Sequence, residues 1–203
     1  MINNVFRKSL AIGIIILFFV ASVLPSISGD INKINDIKND ESTDKVYDWP
    51  MFHHDINHTG YTDGKGNISY PAKKWSYTTD GMVASSPALG DIDGDGEIEV
   101  VVGSDDNNVY AIDGITGNKE WVYLTGSNVH SSPALGDIDY DNIIEVVIGS
   151  NDGKVYALNG TNGQVDWTYT TGFLVFSSPA LGDIDYDNII EVVVGSVDCD
   201  FLN

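Results

Sequence analysis

The chain has 203 residues, 42% of them hydrophobic, which is enough for one domain or slightly more. Its 30 acids against 10 bases give a net charge of −20, and that excludes a nucleic-acid ligand, whose phosphates would be repelled. A single cysteine, Cys199, excludes an intramolecular disulfide, while 21 glycines and 10 tyrosines favour β-structure with tight turns.

Residues 1–28 stand apart. Arg7 and Lys8 precede an apolar run from Leu10 to Val20, and Ser26 and Ser28 follow at small-residue spacing, the pattern of a secretory signal peptide. The run is shorter than the ~20 residues that span a bilayer comfortably. An uncleaved N-terminal anchor is the alternative, and it would be the only attachment to a membrane. Either way the protein is expected to be secreted or at the cell surface. Residues 29–48 read as a polar linker, and the folded region begins near Trp49. His53, His54 and His58 gather around Asp55, but this cluster precedes the repeated part of the chain and is not expected to hold a metal.

From Ser85 onward the chain repeats. S-S-P-A-L-G-D-I-D begins at Ser85, Ser131 and Ser177, a step of 46 residues, and W-x-Y-x-T keeps the same step at Trp75, Trp121 and Trp167. Within one repeat, β-type pieces are expected at Ser85–Leu89, Glu99–Val102, Val109–Ile112 and Glu120–Leu124. Turns are expected at Asp93–Gly96, Asp105–Asn108 and Gly114–Asn118, and no segment keeps a helical period. Four strands per repeat of this length is the signature of a propeller blade. The expected class is all-β, with blades of four antiparallel strands in an incomplete ring. Its parts are a lead-in with an outer strand at 49–84, blades at 85–130 and 131–176, and a partial blade at 177–203. Because the third repeat leaves the pattern after Gly195-Ser196, a truncated copy of a longer propeller is expected.

Ala111 to Trp121 reads A-I-D-G-I-T-G-N-K-E-W, which resembles the tryptophan-docking motif of the quinoprotein-type (PQQ-like) β-propellers. The copy from Ala157 to Trp167 has Asn in place of both Asp and Thr. The opening W-P-M-F-H-H-D-I-N-H-T-G-Y from Trp49 resembles the lead-in of such propellers. D-I-D-G-D-G-E-I-E, Asp91 to Glu99, resembles the calcium loop of FG-GAP (VCBS-type) blades. The docking resemblance implies that each Trp packs on the next blade's turn, burying on the order of 200 Å² of aromatic surface.

The acidic loops also speak for themselves. Ca²⁺ takes about six to eight hard oxygens, and alternate residues of a curled loop can supply them. Asp91, Asp93 and Asp95 stand at positions 1, 3 and 5, the carbonyl of Glu97 at 7, and Glu99 at 9. A β-run follows at once, so this is no EF-hand. The copies are Asp137, Asp139, Asp141, Ile143 (carbonyl) and Glu145, then Asp183, Asp185, Asp187, Ile189 (carbonyl) and Glu191. Position 6 needs positive φ. Gly96 takes it freely, and Asn142 and Asn188 are the non-glycine residues that tolerate it best. A solvated acidic turn is the plain alternative.

The chain has no vicinal cysteines, and its tryptophans belong to the docking motif or the lead-in, so pyrroloquinoline quinone is not expected. Ser85-Ser86-Pro87 shows no nucleophile elbow. Sequons at Asn57, Asn67 and Asn159 matter only if the exporting cell glycosylates. The expected function is an exported, non-catalytic scaffold carrying structural calcium, with an extracellular protein or glycan as partner. The alternative is part of a PQQ-dependent dehydrogenase.

Overall fold

The computed structural model of the chain describes residues 14–17, 50–52 and 72–197. Among the described residues eleven strands run in chain order as β1 (Ile14–Leu17), β2 (Ala88–Gly90), β3 (Glu99–Gly103), β4 (Asn108–Asp113), β5 (Lys119–Leu124), β6 (Ala134–Gly136), β7 (Glu145–Ser150), β8 (Lys154–Asn159), β9 (Val165–Thr170), β10 (Ala180–Gly182) and β11 (Glu191–Gly195). The fold is all-β. Two four-stranded antiparallel sheets, β2-β3-β4-β5 and β6-β7-β8-β9, are successive propeller blades, and β10 and β11 begin a third. The ring is not closed. Ile14–Leu17 pairs antiparallel with β11 on the side away from β10. The rest of the leader, the linker, the histidine cluster, Cys199 and the sequons at Asn57 and Asn67 lie outside the described residues.

The blades stack face to face, so both faces of the middle strands are buried and their sequences read as near-continuous apolar runs. Val101, Val109 and Ala111 of the first blade pack with Leu135, Val146, Ile148 and Leu158 of the second. The second blade's opposite face, Ala134, Val147, Val155 and Ala157, packs with Leu181, Val192 and Val194 of the third. Val102, Tyr110 and Ile112 point the other way, against Trp75 and Tyr77. Trp75 and Tyr77 lie on a segment that joins no ladder among the described residues.

The first strand of the blade, expected at Ser85–Leu89, runs instead over Ala88–Gly90, and its copies likewise start just after a proline, because Pro87, Pro133 and Pro179 bring no N–H to a ladder. The serines before them work differently. Ser85 Oγ accepts from Gly103 N–H (2.8 Å) and donates to the Gly103 carbonyl (3.0 Å), clamping its own blade. The N–H of Ser86 donates to Ser132 Oγ (2.8 Å) and that of Ser132 to Ser178 Oγ (3.1 Å), so the second serine of each pair stitches neighbouring blades. Trp75 and Trp121 dock as the motif implies. Trp75 Nε1 donates to the Gly114 carbonyl at 2.9 Å and its ring lies on Gly117; Trp121 repeats this on Gly160 and Gly163.

Candidate metal centres

Each acidic loop joins the first two strands of its blade, so the three loops share one end of adjacent blades. In the first, Asp91 Oδ1 accepts from Gly94 N–H (2.8 Å) and Oδ2 from Gly96 N–H (3.0 Å). Asp93 Oδ1 accepts from Asp95 N–H (3.1 Å), and Asp95 Oδ1 from Glu97 N–H (2.7 Å). These local bonds wind the backbone around the carboxylates. The other loops close alike: Asp137 Oδ2 takes the N–H of Asn142 at 3.1 Å and Asp183 Oδ2 that of Asn188 at 2.9 Å.

The ninth residue closes each loop from the strand side. Glu99 opens β3, is 3% exposed, and accepts the Ile92 N–H on Oε2 at 2.9 Å. Glu145 and Glu191 do the same for Ile138 (2.9 Å) and Ile184 (2.7 Å). Burial pushes the Glu99 and Glu145 carboxyls up to about 7, against the pull of these N–H bonds, and neighbouring aspartate charges add to the rise. Among the described residues the one acid–base contact joins His130 Nε2 to Asp105 Oδ1 (2.6 Å), so no described lysine neutralises a loop carboxylate.

One oxygen each from Asp91, Asp93 and Glu99 lie within 4.8 Å of one another, and so do those of Asp137, Asp139 and Glu145, and of Asp183, Asp185 and Glu191. Positions 1, 3 and 9 therefore converge. Asp95, Asp141 and Asp187 stand outside these groups. Their Oδ1 atoms hold the N–H groups of Glu97, Ile143 and Ile189, the residues whose carbonyls the loop pattern assigns to position 7. Three converging carboxylates make an all-oxygen donor set, which could hold a hard divalent cation.

Backbone angles separate what the sequence showed from what it hid. Gly96 (φ 88°), Asn142 (68°) and Asn188 (67°) take the positive φ expected at position 6. Position 4 takes it too, and there Gly94 (80°) is replaced by Tyr140 (63°) and Tyr186 (65°). A bulky residue in this region costs on the order of 1–3 kcal/mol. Sequence reasoning missed these tyrosines, although the exchange of Gly for Tyr inside an otherwise preserved loop was a legible signal.

A family model described as outer membrane protein assembly factor BamB matches residues 72–194, well over half of the chain. The chain belongs to that family. No curated protein matches it significantly. Among solved structures, BamB from Moraxella catarrhalis aligns at 23% identity over 54% of this chain and 31% of its own, with a TM-score of 0.42. Quinohemoprotein alcohol dehydrogenase from Comamonas testosteroni aligns at 24% identity over 66% of this chain and 22% of its own, with a TM-score of 0.54. The second likeness shows the propeller fold. The chain thus spans less than a third of the length of either protein.

Proposed function

We propose that this BamB-family chain is an exported, non-catalytic propeller scaffold, stabilised by calcium and carrying a protein- or glycan-binding surface. One observation carries the calcium reading: positions 1, 3 and 9 of all three loops bring carboxylates together with no described base to offset them. Asp91, Asp93 and Glu99, and their counterparts in the next two blades, would hold the ion, with the carbonyls of Glu97, Ile143 and Ile189 as further oxygens. Calcium there would offset carboxylate repulsion and let Glu99 and Glu145 stay ionised while buried. The family's description as an outer-membrane assembly factor supports a place in the cell envelope or outside it, and a role in contacting other proteins.

The non-catalytic reading is supported by the use of Trp75 and Trp121 in blade packing, which leaves neither ring free to stack on a quinone. The likeness to a quinohemoprotein dehydrogenase favours the alternative only at the level of fold.

A thermal melt of the full chain in chelator and in increasing calcium, with bound metal counted, tests the proposal. The expected result is a Tm that climbs as about two or three ions bind per chain. A cooperative melt that ignores calcium would sink the calcium reading. Added pyrroloquinoline quinone separates the alternatives, since a bound quinone spectrum or dye-linked alcohol oxidation would overturn the non-catalytic assignment.

A further inference from the structure

Tyr140 lies within the second loop, yet its hydroxyl donates to the carbonyl of Asn188 in the third loop at 2.5 Å. Asn188 is the left-handed turn residue whose N–H donates to Asp183 Oδ2. One side chain thus ties the second loop to the residue that closes the third around its first aspartate. Between the first and second loops the equivalent residue is Gly94, and nothing lies within 4 Å of where its Cβ would stand. A cavity of about 70 Å³ opens there, bordered by Asp91, Asp93 and Gly94 on one loop and by Asn142 and Ile143 on the next. It lies between the same pair of positions, 94 and 142, that Tyr140 bridges one blade later at 140 and 188.

We infer that Tyr140 is a positioning residue that couples calcium binding in the second and third loops and leaves the first loop independent. The inference rests on the calcium reading of these loops. Closing the second loop holds the backbone at Tyr140 in its positive-φ conformation, which aims the hydroxyl at Asn188. Asn188 is then held in the conformation that presents its N–H to Asp183, so the third loop is organised before its ion arrives. By linkage, an ion in the third loop favours closure of the second by the same factor.

Calcium titration of the full chain, followed through the backbone amide resonances of Gly96, Asn142 and Asn188, reads the three loops separately. Tyr140→Phe keeps the ring and removes the hydroxyl. It should raise the calcium midpoint at Asn188 by about three- to ten-fold, the scale of one lost hydrogen bond, with Gly96 unmoved. Tyr186→Phe, at a ring that is 89% exposed, should shift none of them. Gly94→Tyr should partly fill the cavity and lower the midpoint at Asn142. Amides that respond to calcium with an Asn188 midpoint unchanged in Tyr140→Phe would overturn the coupling and spare the calcium reading. Amides blind to calcium in the unaltered chain would overturn both.

Discussion

The indole N–H of Trp121 donates to the carbonyl of Gly160 at 2.6 Å, joining the outer strand of one blade to a turn of the next. The ring lies so close to Gly163 that a Cβ there would stand 2.6 Å from its Cε3. Gly163 also has φ 69°, so glycine serves both the turn and the close approach. Trp121 is 7% exposed and belongs to the core shared by the first two blades. Blade-to-blade cohesion therefore depends on an outer residue as well as on the inner valines.

Trp121→Ala should lower stability by about 3–5 kcal/mol, the range for deleting a buried large aromatic. Trp121→Phe keeps most of the apolar contact, leaves the Gly160 carbonyl without this donor, and should lose about 1–3 kcal/mol. Urea unfolding in calcium checks both. Near-equal losses would mean that the hydrogen bond, rather than the ring, dominates.

Ser131, the first serine of its pair, both clamps its own blade and reaches the next one, and this makes its own prediction. Ser131 is fully buried; its Oγ accepts the Gly149 N–H at 3.1 Å and donates to the Ser177 carbonyl at 2.9 Å. Ser131→Ala strands both backbone groups and should destabilise by about 1–3 kcal/mol. Hydrogen exchange at Gly149 is the direct readout, and its protection should fall by one to two orders of magnitude, as the same energy implies.

On the proposed calcium reading, removal of one loop's ion should be measurable. With a dissociation constant near 0.1 mM, millimolar calcium adds about 1.4 kcal/mol per site. Glu99→Gln or Asp91→Asn should cancel about that much of the calcium-induced gain and lower the bound metal by one ion. A full calcium response in both variants would show that the first loop holds none.

The pH response follows from the same carboxyls. In chelator, Glu99 and Glu145 have folded-state pKa values raised to about 7 from 4.5, so between these values the native chain holds more protons than the unfolded one. Stability should then fall as pH rises from about 4.5 to about 7. Asp106 acts in the opposite sense. Burial works to raise it, but the Tyr110 hydroxyl at 2.7 Å and the Asn108 and Asp80 N–H groups outweigh burial and hold it below the usual range. Its contribution is present at neutral pH and is lost only as acid protonates it. On the proposed calcium reading the ion should flatten the upper limb, because it would bind the ionised carboxylates. Urea midpoints across pH in chelator and in calcium check the sign, and Glu99→Gln should remove part of the chelator slope.

Much of this protein was settled by residue order alone. A 46-residue step carried by Ser85, Ser131 and Ser177 dictates repeated four-strand units, since identical segments find identical local minima. Alternation could not have revealed which face of β3 or β7 is the inner one, because both faces are covered and the strands read as unbroken valine and isoleucine. The acidic positions were legible too, because positions 1, 3, 5 and 9 and the Gly-to-Asn exchange are local requirements of one tight turn. Only the tertiary structure showed which of them converge, bringing one oxygen each of positions 1, 3 and 9 within 4.8 Å of one another. Only it could show that Ser86 and Ser132 bond across blades, or that Tyr140 reaches Asn188. Those relationships depend on how far one blade rotates over the next, a distance that many non-local contacts set together and no single repeat encodes.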